Sequence, residues 1–297
     1  IEGEIVEKGI IALDARIFLE MVRKLPDNDV TIQTDPSYKT TITCEKAKFN
    51  IVGKSGEDFS YLPQIERSES ICLSQFSLKE AVRQTIFSIA DNGTNKILTG
   101  ELFEIKENII KIVSSDGLRI SLRRINLKNS YPSRKVIVPG KTLNEVSKIL
   151  PGDVDRDVNI FFTDKHILFE FDQTTVVSRL IEGDYLKIDN ILSADYETKV
   201  KINKKEFQSC IDRSTLLVKE GEKKPLILNI LDEVMELKMN SVVGSLNEEI
   251  DITKMGKDLM IGFDPKFLID ALKVIDDEEV EIKLLNSKSP CFIKDDE

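Results

Sequence analysis

Few side chains in this sequence have the type and spacing that chemistry requires. His166 is the only histidine of the 297 residues, and its surroundings, residues 160–168, predict a hairpin turn at the surface rather than a catalytic base. The acidic clusters at 276–279 and 295–297 lack the alternating ligand spacing of a calcium-binding loop. No phosphate-binding, dinucleotide-binding, zinc-protease or serine-hydrolase motif occurs. We therefore expect no catalytic residues, no metal site and no cofactor.

The four cysteines are also poor candidates for chemistry. Cys44, Cys72, Cys210 and Cys291 are widely spaced and never form a Cys-x-x-Cys pair. Three of them sit in or beside strand-like runs, and Cys210 lies on the apolar side of a predicted helix. This pattern favours free thiols in a reducing compartment over disulfides or metal ligands, so we expect a cytoplasmic protein.

An internal repeat organises the elements around these residues. Leu13, Val138 and Phe263 lie 125 residues apart and belong to three copies of one pattern, which we name segment B. In segment B a strand and a short turn lead into an amphipathic helix and then into alternating strands. Asp14 and Asp264 are suited to cap two of these helices.

A second pattern, segment A, lies between the copies of segment B. One copy predicts a helix around 76–87 and strands at 102–105 and 109–112, and the other predicts a helix around 204–217. The order along the chain is therefore B, A-B, A-B. Each A-B pair has the length of an ordinary domain, which predicts duplicated α+β domains.

This order predicts three domains. Residues 1–70 form the C-terminal half of the first domain, residues 71–195 form the second, and residues 196–297 form the third. We expect the N-terminal half of the first domain and the last strand of the third to belong to the rest of the full-length protein.

The chain is acidic overall, with a net charge of -10, yet its predicted helices are basic. The five helical stretches carry 12 Lys and Arg residues against 6 Asp and Glu residues. A basic-acidic-basic triplet recurs on each segment B helix, as in Arg16, Glu20 and Arg23. A solvated face with i,i+4 ion pairs is the simpler interpretation. If the helices share one surface, however, that surface would attract a phosphate backbone.

Four motifs, in order along the chain, resemble those of a known family. Residues 114–120 resemble the T-D-G-H-R-L loop of bacterial sliding clamps, and residues 136–139 resemble their V-I-V-P strand. Residues 179–185 resemble their K-L-[IV]-[DE]-G segment, and residues 261–268 resemble their I-[GA]-F-N-x-x-Y-L segment. The resemblance covers the whole chain and identifies it as similar to the beta subunit of DNA polymerase III.

The resemblance implies an α+β DNA-clamp fold in which each repeated domain packs two helices on antiparallel sheets. Two copies would close head to tail into a ring that encircles duplex DNA without sequence specificity. The clamp would tether the replicative DNA polymerase and dock the clamp loader, repair proteins and other proteins with clamp-binding peptide motifs. The residues expected to face DNA are Arg16, Arg23, Lys24, Lys79, Arg83, Lys96, Lys141, Lys148, Lys204, Lys205, Arg213, Lys266 and Lys273.

The resemblance also implies a pocket for partner peptides between the second and third domains. Its expected residues are Leu98, Ser115, Gly117, Leu118, Arg119, Ile120, Leu186, Asn190, Ile191, Asp264 and Phe267. The sequence departs from the family pattern here. Leu118 stands in place of a histidine, Leu186-Lys187-Ile188 in place of Pro-Asp-Tyr, and Asn190 in place of an arginine.

The same resemblance predicts where two copies would meet. The strand Phe49–Ile51 should pair with the last domain near Leu216 and Leu217, because pairing removes exposed sheet edges. Lys46 and Lys48 should then face Glu248 and Glu249 of the second copy.

Two other classes of function are weighed against a clamp. An acidic scaffold of duplicated domains that binds only proteins would share the repeat, but it would not need basic helices. A nuclease would need clustered carboxylates at strand ends, and the sequence has none.

Overall fold

The computed structural model describes residues 3–59, 63, 65–67, 69–91, 95–188, 191, 195–219, 221–222 and 224–294. The chain divides into two compact units, Ile1–Gln64 and Ile65–Glu297. Within the described ranges, no helix is long and apolar enough to cross a membrane.

The described residues of the first unit form one α-helix, a short 3-10 helix at Gly56–Asp58 and two small antiparallel sheets. Its elements are β1 (Ile11–Ala12), α1 (Ala15–Lys24), β2 (Thr31–Thr34), β3 (Lys39–Cys44), β4 (Ala47–Val52) and β5 (Lys54–Ser55). Strands β2, β3 and β4 form one sheet in that order, and β1 pairs with β5. As predicted, Asp14 caps α1, because its Oδ1 accepts a hydrogen bond from the Ile17 N–H at 2.9 Å.

Helix α1 carries apolar side chains that the described residues do not bury. Ile17, Leu19 and Val22 are exposed, and none of the described residues of α1 is buried. The buried side chains of this unit include Ile42 and Cys44, both on β3. The first unit thus contains an amphipathic helix whose apolar face the unit itself leaves uncovered.

The first repeat of the second unit packs two helices on antiparallel strands. Its elements are β6 (Ile71–Ser74), α2 (Gln75–Thr85), β7 (Gly100–Ser115), β8 (Ile120–Pro139), α3 (Gly140–Ile149), β9 (Asp157–Phe162), β10 (His166–Phe171) and β11 (Thr174–Arg179). The sheet order is β11-β10-β9-β6, and β7 pairs with β8. Alternating residues of these strands and the apolar faces of α2 and α3 enclose one core.

The second repeat has the same plan. Its elements are β12 (Thr198–Asn203), α4 (Lys204–Thr215), β13 (Leu226–Ile230), β14 (Val234–Asn240), β15 (Ser245–Asp251), β16 (Thr253–Gly256), β17 (Leu259–Phe263), α5 (Pro265–Val274), β18 (Glu279–Leu284) and β19 (Phe292–Lys294). Two sheets, β16-β12-β18-β19 and β15-β14-β13-β17, flank its core. Asp264 caps α5 as predicted, accepting a hydrogen bond from the Lys266 N–H at 3.0 Å.

The 125-residue repeat extends to individual hydrogen bonds. Lys79 Nζ donates to the carbonyl of Leu150, which ends α3, at 2.9 Å. Lys204 Nζ donates in the same way to the carbonyl of Ile275, which ends α5, at 2.6 Å. Lys204 lies 125 residues after Lys79, and Ile275 lies 125 residues after Leu150. In both repeats an ammonium group thus satisfies a terminal carbonyl at the negative end of a helix dipole.

The prediction of two separate strands at 102–105 and 109–112 was wrong. Both belong to β7, which stays paired with β8 through register shifts on either side of Glu107. Glu107 has a positive φ of 54°, which lets the chain bend locally without ending the strand. At the equivalent place in the second repeat, β13 ends at Ile230 and β14 begins at Val234.

The hairpin turn predicted around His166 lies between β9 and β10. His166 begins β10 directly after a turn, and its N–H donates to Thr163 Oγ1 at 2.9 Å. All four cysteines are free thiols. The acidic cluster at 276–279 follows α5 and ends at Glu279, the first residue of β18, whereas the cluster at 295–297 lies outside the described residues.

Candidate functional site

A cavity of about 510 Å³ opens between the two repeats of the second unit. The first repeat contributes the end of α2, the loop between β7 and β8, and the segment around Leu186. The second repeat contributes α5 and residues 289–293. Most side chains that line the cavity are apolar, and a few polar groups lie among them, as is usual for ligand-binding clefts.

A tight turn in the first repeat presents Leu118 at this cavity. Asp116 Oδ1 accepts hydrogen bonds from the N–H groups of Leu118 at 2.9 Å and Arg119 at 3.0 Å. Ser115 Oγ accepts from the Gly117 N–H at 3.1 Å and donates to the Arg119 carbonyl at 2.8 Å. Gly117 has a φ of 92°, a conformation that side chains disfavour. The turn is therefore fixed by its own hydrogen bonds, and Leu118 remains 76% exposed.

Arg119 joins the two repeats beneath this turn. Its guanidinium donates to Asp116 at 3.0 Å, to Asp270 on α5 at 2.7 Å and to the Phe87 carbonyl at 2.8 Å. The same group lies over the Phe267 ring, 4.4 Å from its centroid. The side chain is only 17% exposed. Arg119 therefore links the two repeats, and its charge is already neutralised by two carboxylates.

A small apolar cluster supports the cavity from the first repeat. Leu102, Val113 and Ile188 are buried, and Ile120 and Tyr185 pack against them. Burial raises the pKa of Tyr185, so this phenol stays neutral, and its hydroxyl donates to the Gly100 carbonyl at 3.4 Å.

Glu101 lies next to this cluster in sequence and is fully buried. Burial raises the pKa of Glu101 to about 8, with a smaller opposing effect from the Thr85 side chain. Near neutral pH this carboxyl is therefore mostly protonated.

The basic residues of the helices fall into two groups. Ten of the thirteen predicted DNA-facing residues are exposed: Arg16, Arg23, Lys24, Lys96, Lys141, Lys148, Lys205, Arg213, Lys266 and Lys273. Lys79, Arg83 and Lys204 are partly buried and are bound within the protein. Arg83 bridges Glu80 on its own helix and Asp276 of the second repeat, both at 2.6 Å.

The predicted charge triplets form ion pairs at a different spacing. Arg23 pairs with Glu20 at 3.5 Å and Lys148 pairs with Glu145 at 2.9 Å, both at i,i+3. In the third triplet Asp270 is bound by Arg119 of the first repeat. The exposed pairs Arg23–Glu20 and Lys148–Glu145 contribute little to stability.

The strands that the sequence suggested for subunit contact lie at sheet edges. β4 ends the sheet of the first unit, and β15 ends a sheet of the second repeat. Near β15, Leu216 is 80% exposed, whereas Leu217 packs against the core of its repeat. Glu248 on β15 accepts hydrogen bonds from Arg213 of the same chain at 2.5 and 2.7 Å, so its charge is matched internally. Lys46, Lys48 and Glu249 are exposed, and Phe49 and Ile51 are partly buried.

Comparison with known proteins assigns this architecture to a family. Three family models match in sequence order: the N-terminal domain of the DNA polymerase III beta subunit at residues 1–63, its central domain at 72–187 and its C-terminal domain at 189–297. The beta sliding clamp of Staphylococcus aureus is 35% identical over 99% of this chain and 79% of its own length. The chain belongs to the DNA polymerase III beta subunit family.

Solved structures of the family share its fold. A crystal structure from Eubacterium rectale, described as that of a DNA polymerase III beta subunit, superposes with a TM-score of 0.96 at 68% identity. It covers 100% of this chain, which spans 80% of that one. The sliding clamp of Bacillus subtilis gives 0.91 at 34% identity, over 96% of this chain and 76% of its own. The predicted family and clamp fold are thereby confirmed.

Family membership also gives the function. The chain is a processivity clamp of DNA replication and is not an enzyme. The family implies interaction with DNA and with a DNA polymerase, and formation of a ring.

The structure brings most of the sequence-predicted pocket residues of this clamp together. The residues that line the cavity are Ser115, Gly117, Leu118, Arg119, Ile120, Leu186, Ile191 and Phe267. Leu98 and Asp264 do not line it. Leu98 lies in a short 3-10 turn and its carbonyl accepts a hydrogen bond from the Ala90 N–H, and Asp264 is occupied as the cap of α5. Asn190 lies outside the described residues.

Other cavity residues of the clamp were missed from the sequence. They include Gln84, Phe87 and Phe263, together with the segment Ser289–Ile293. Gln84 and Phe87 fall at and just beyond the end of α2, and only the three-dimensional approach of Arg119 marks that place as part of the site. Phe263 offered a signal, because it ends a strand of the repeated segment B next to the predicted Asp264.

Proposed function

We propose that two copies of this clamp close head to tail into a ring around duplex DNA and tether the replicative polymerase to it. The observation that carries the proposal is the repeated placement of exposed basic side chains on equivalent helices of an acidic protein. Such helices attract phosphates without reading bases, whereas the acidic remainder of the surface repels DNA. A closed ring needs only weak contacts, because topology holds it on the DNA.

We assign the DNA-facing role to nine of the ten exposed residues, because Arg213 is bound by Glu248 of the same chain, and we leave out the three partly buried residues as well. Lys79 and Lys204 each neutralise the end of a neighbouring helix, and Arg83 is shared by two carboxylates. Their charges are therefore partly spent inside the protein.

The proposed subunit contact joins β4 of one copy to β15 of the other. Both are edge strands, and an unprotected edge is a site of aggregation unless another strand pairs with it. Lys46 and Lys48 flank or lie on β4 and Glu249 lies on β15, so charges of opposite sign would meet across the contact. Head-to-tail pairing of this kind closes a ring when the rotation between copies completes a circle.

The interdomain cavity is proposed to hold a short linear peptide of the polymerase. Its apolar lining and few polar groups support an occupant with apolar anchor residues. The clamp loader, repair proteins and other partners with clamp-binding peptides would use the same cavity in turn. We retain residues 71–195 and 196–297 as the two domains that form it, and we place the protein in the cytoplasm, where a bacterial chromosome is copied.

Primer extension tests this function. The full-length clamp, its cognate loader and its polymerase are incubated on singly primed circular DNA with excess competitor, so that each product reports one binding event. We expect the clamp to lengthen the products strongly. A variant with Phe267→Asp in the cavity should lose this effect, and Met255→Gln, an exposed residue on β16, should retain it. Product lengths that do not depend on the clamp would contradict the proposal.

A further inference from the structure

The two repeats of the second unit carry opposite charges at equivalent places on their sheets. In the first repeat Lys111 on β7 pairs directly with Arg124 on β8. In the second repeat Glu236 on β14 pairs directly with Glu249 on β15. Each residue of the second pair follows its counterpart in the first by 125 residues. The repeat has therefore kept the register of its strands and reversed the sign of these charges.

Each repeat thus holds two like charges side by side, an arrangement that weakens a sheet. One neighbour of opposite charge offsets this in each case. Lys111 Nζ lies 2.7 Å from a Glu104 carboxylate oxygen, and Lys238 Nζ lies 2.5 Å from a Glu236 carboxylate oxygen. The second member of each pair, on β8 or β15, is exposed. These outer strands therefore present a charge to an approaching strand, which is positive in the first repeat and negative in the second.

The two outer strands are also equivalent as sheet edges. β15 ends its sheet, and in the part of the chain that the structure describes, residues 120–126 of β8 pair with β7 alone. A protein built from repeats therefore has two similar edges to which a partner strand could add. The charged residues of these edges are Arg123 and Arg124 at 120–126, and Glu248, Glu249 and Asp251 at 245–251.

Strand β4 of a second copy, the proposed partner of β15, is basic. Lys48 is exposed on β4, Lys46 directly precedes the strand, and Ala47–Val52 contains no acidic residue. If β4 paired with β15, these lysines would meet carboxylates. If it paired with residues 120–126 instead, they would lie within about 5–8 Å of two arginines. Opposite charges favour the first pairing, and like charges oppose the second.

We propose that Arg124, supported by Lys111, is a repulsive element that keeps β4 of a second copy away from the first repeat and directs it to β15. The inference rests on the proposed function, because it concerns the same contact between copies. It gives a role in that contact to the first repeat, which contributes no strand to it. Pairing through the wrong repeat would join copies by a contact that does not close, and such contacts lead to open chains. The reversed charges therefore favour a closed ring of two copies.

Three variants of the full-length clamp test this role. Glu249→Arg makes the edge of β15 repel β4. Adding Arg124→Glu to it gives the first repeat an acidic residue at its own edge. Adding Lys106→Glu instead is the matched control, because Lys106 is also basic and exposed but lies on β7. Analytical ultracentrifugation gives the Kd for association of two copies. Retention on a nicked circular plasmid, after loading by the cognate clamp loader, shows whether the associated copies enclose DNA.

We expect Glu249→Arg to raise the Kd about tenfold, because an attractive pair becomes a repulsive one. Adding Arg124→Glu should lower the Kd again by about threefold or more without restoring retention on DNA, whereas adding Lys106→Glu should leave the Kd raised. The two double variants have the same net charge, and equal melting temperatures verify that both are folded. Equal Kd values for the two double variants would overturn the role of Arg124 and leave the proposed contact intact. A wild-type Kd in Glu249→Arg itself would overturn the proposed contact, and the inference with it.

Discussion

Glu101 shows how one buried carboxyl couples this protein to pH. Its pKa is about 8 in the folded protein against an ordinary value of 4.5, so the folded state retains a proton that the unfolded state has lost. A raised pKa of an acid means that the free energy of unfolding decreases with pH from about 4.5 to about 8 and is level above that. The full effect of this single group is up to about 5 kcal/mol.

We expect Glu101→Gln to remove this dependence. Urea unfolding at pH 5, 7 and 9 should show the variant becoming progressively more stable relative to the wild type, by a few kcal/mol in total. Glu104→Gln is the matched control on the same strand. Burial alone would raise the pKa of Glu104. The ammonium groups of Lys111 and Lys135 outweigh this effect and hold the pKa of Glu104 below its ordinary value. Its difference from wild type should therefore stay level over this range, and parallel curves for Glu101→Gln and wild type would contradict the account.

Arg119 carries a second prediction at the residue scale. Arg119→Met would leave Asp116 and Asp270 without their partner in a largely buried place, which should cost about 2–4 kcal/mol and lower the melting temperature of the second unit. Arg83→Met is the control, because it also breaks an ion pair between the repeats, but Asp276 is 74% exposed. It should cost less than about 1 kcal/mol. If calorimetry showed equal losses of stability in the two variants, the contribution of Arg119 would not depend on the burial of its ion pairs.

Single residues were partly predictable from the sequence. The turn that presents Leu118 could be inferred, because its residues are consecutive and resemble a family motif. The partners of Arg119 could not be inferred in this way. Asp270 lies 151 residues from Arg119, and the basic residues near Asp270 on its own helix suggested a local ion pair instead. Hydrogen bonds between distant segments leave no periodic trace in a sequence.

The helices and strands were more predictable, because an amphipathic pattern and caps repeat every 125 residues. Helices α2 and α4 formed within a few residues of the predicted bounds 76–87 and 204–217, and α1, α3 and α5 formed in the three copies of segment B. The long strand β7 was not predictable as one element. The polar residues around Glu107 indicate a turn. The strand continues past them only because β7 stays paired with β8 on both sides of Glu107.

Lys79 and Lys204 give a prediction at the scale of the helices. Lys79→Met and Lys204→Met should each lower the free energy of unfolding by about 1 kcal/mol, because a helix terminus loses its cation and hydrogen bond. Loading onto primed DNA by the clamp loader should be nearly unchanged at temperatures where the variants are folded. Lys141→Met, an exposed residue on α3, is the opposite control and should reduce loading without affecting melting. If Lys79→Met impaired loading as strongly as Lys141→Met and left melting unchanged, its assignment to the helix end would be wrong.

The edge strands give a second prediction at this scale, which concerns the contact between two copies. Ile51→Asp on β4 combined with Leu216→Asp beside β15 should convert the full-length clamp to a monomer, because both changes place charge at the proposed contact. Leu216 is preferred to Leu217, which packs in the core of its repeat. Light scattering gives the mass directly. The contact would have to lie elsewhere if the mass remained that of two chains.

For the whole molecule, charge separation reconciles an acidic protein with DNA. The net charge of -10 coexists with helices that carry twice as many basic as acidic residues. Because the attraction is spread over many weak contacts, it should be strongly reduced by salt. A ring linked to DNA by topology, in contrast, is retained when those contacts are screened. Retention and electrostatic attraction can therefore be separated experimentally.

The most direct test of the central claim follows the full-length clamp on a nicked circular plasmid. The cognate loader places the clamp on the circle, high salt removes material held only by charge, and a single restriction cut then opens the circle. Encirclement predicts that the clamp stays on the circle through the salt wash and is lost by sliding off the ends once the DNA is linear. Loss already at the salt wash, or retention that does not change on cutting, would contradict the ring.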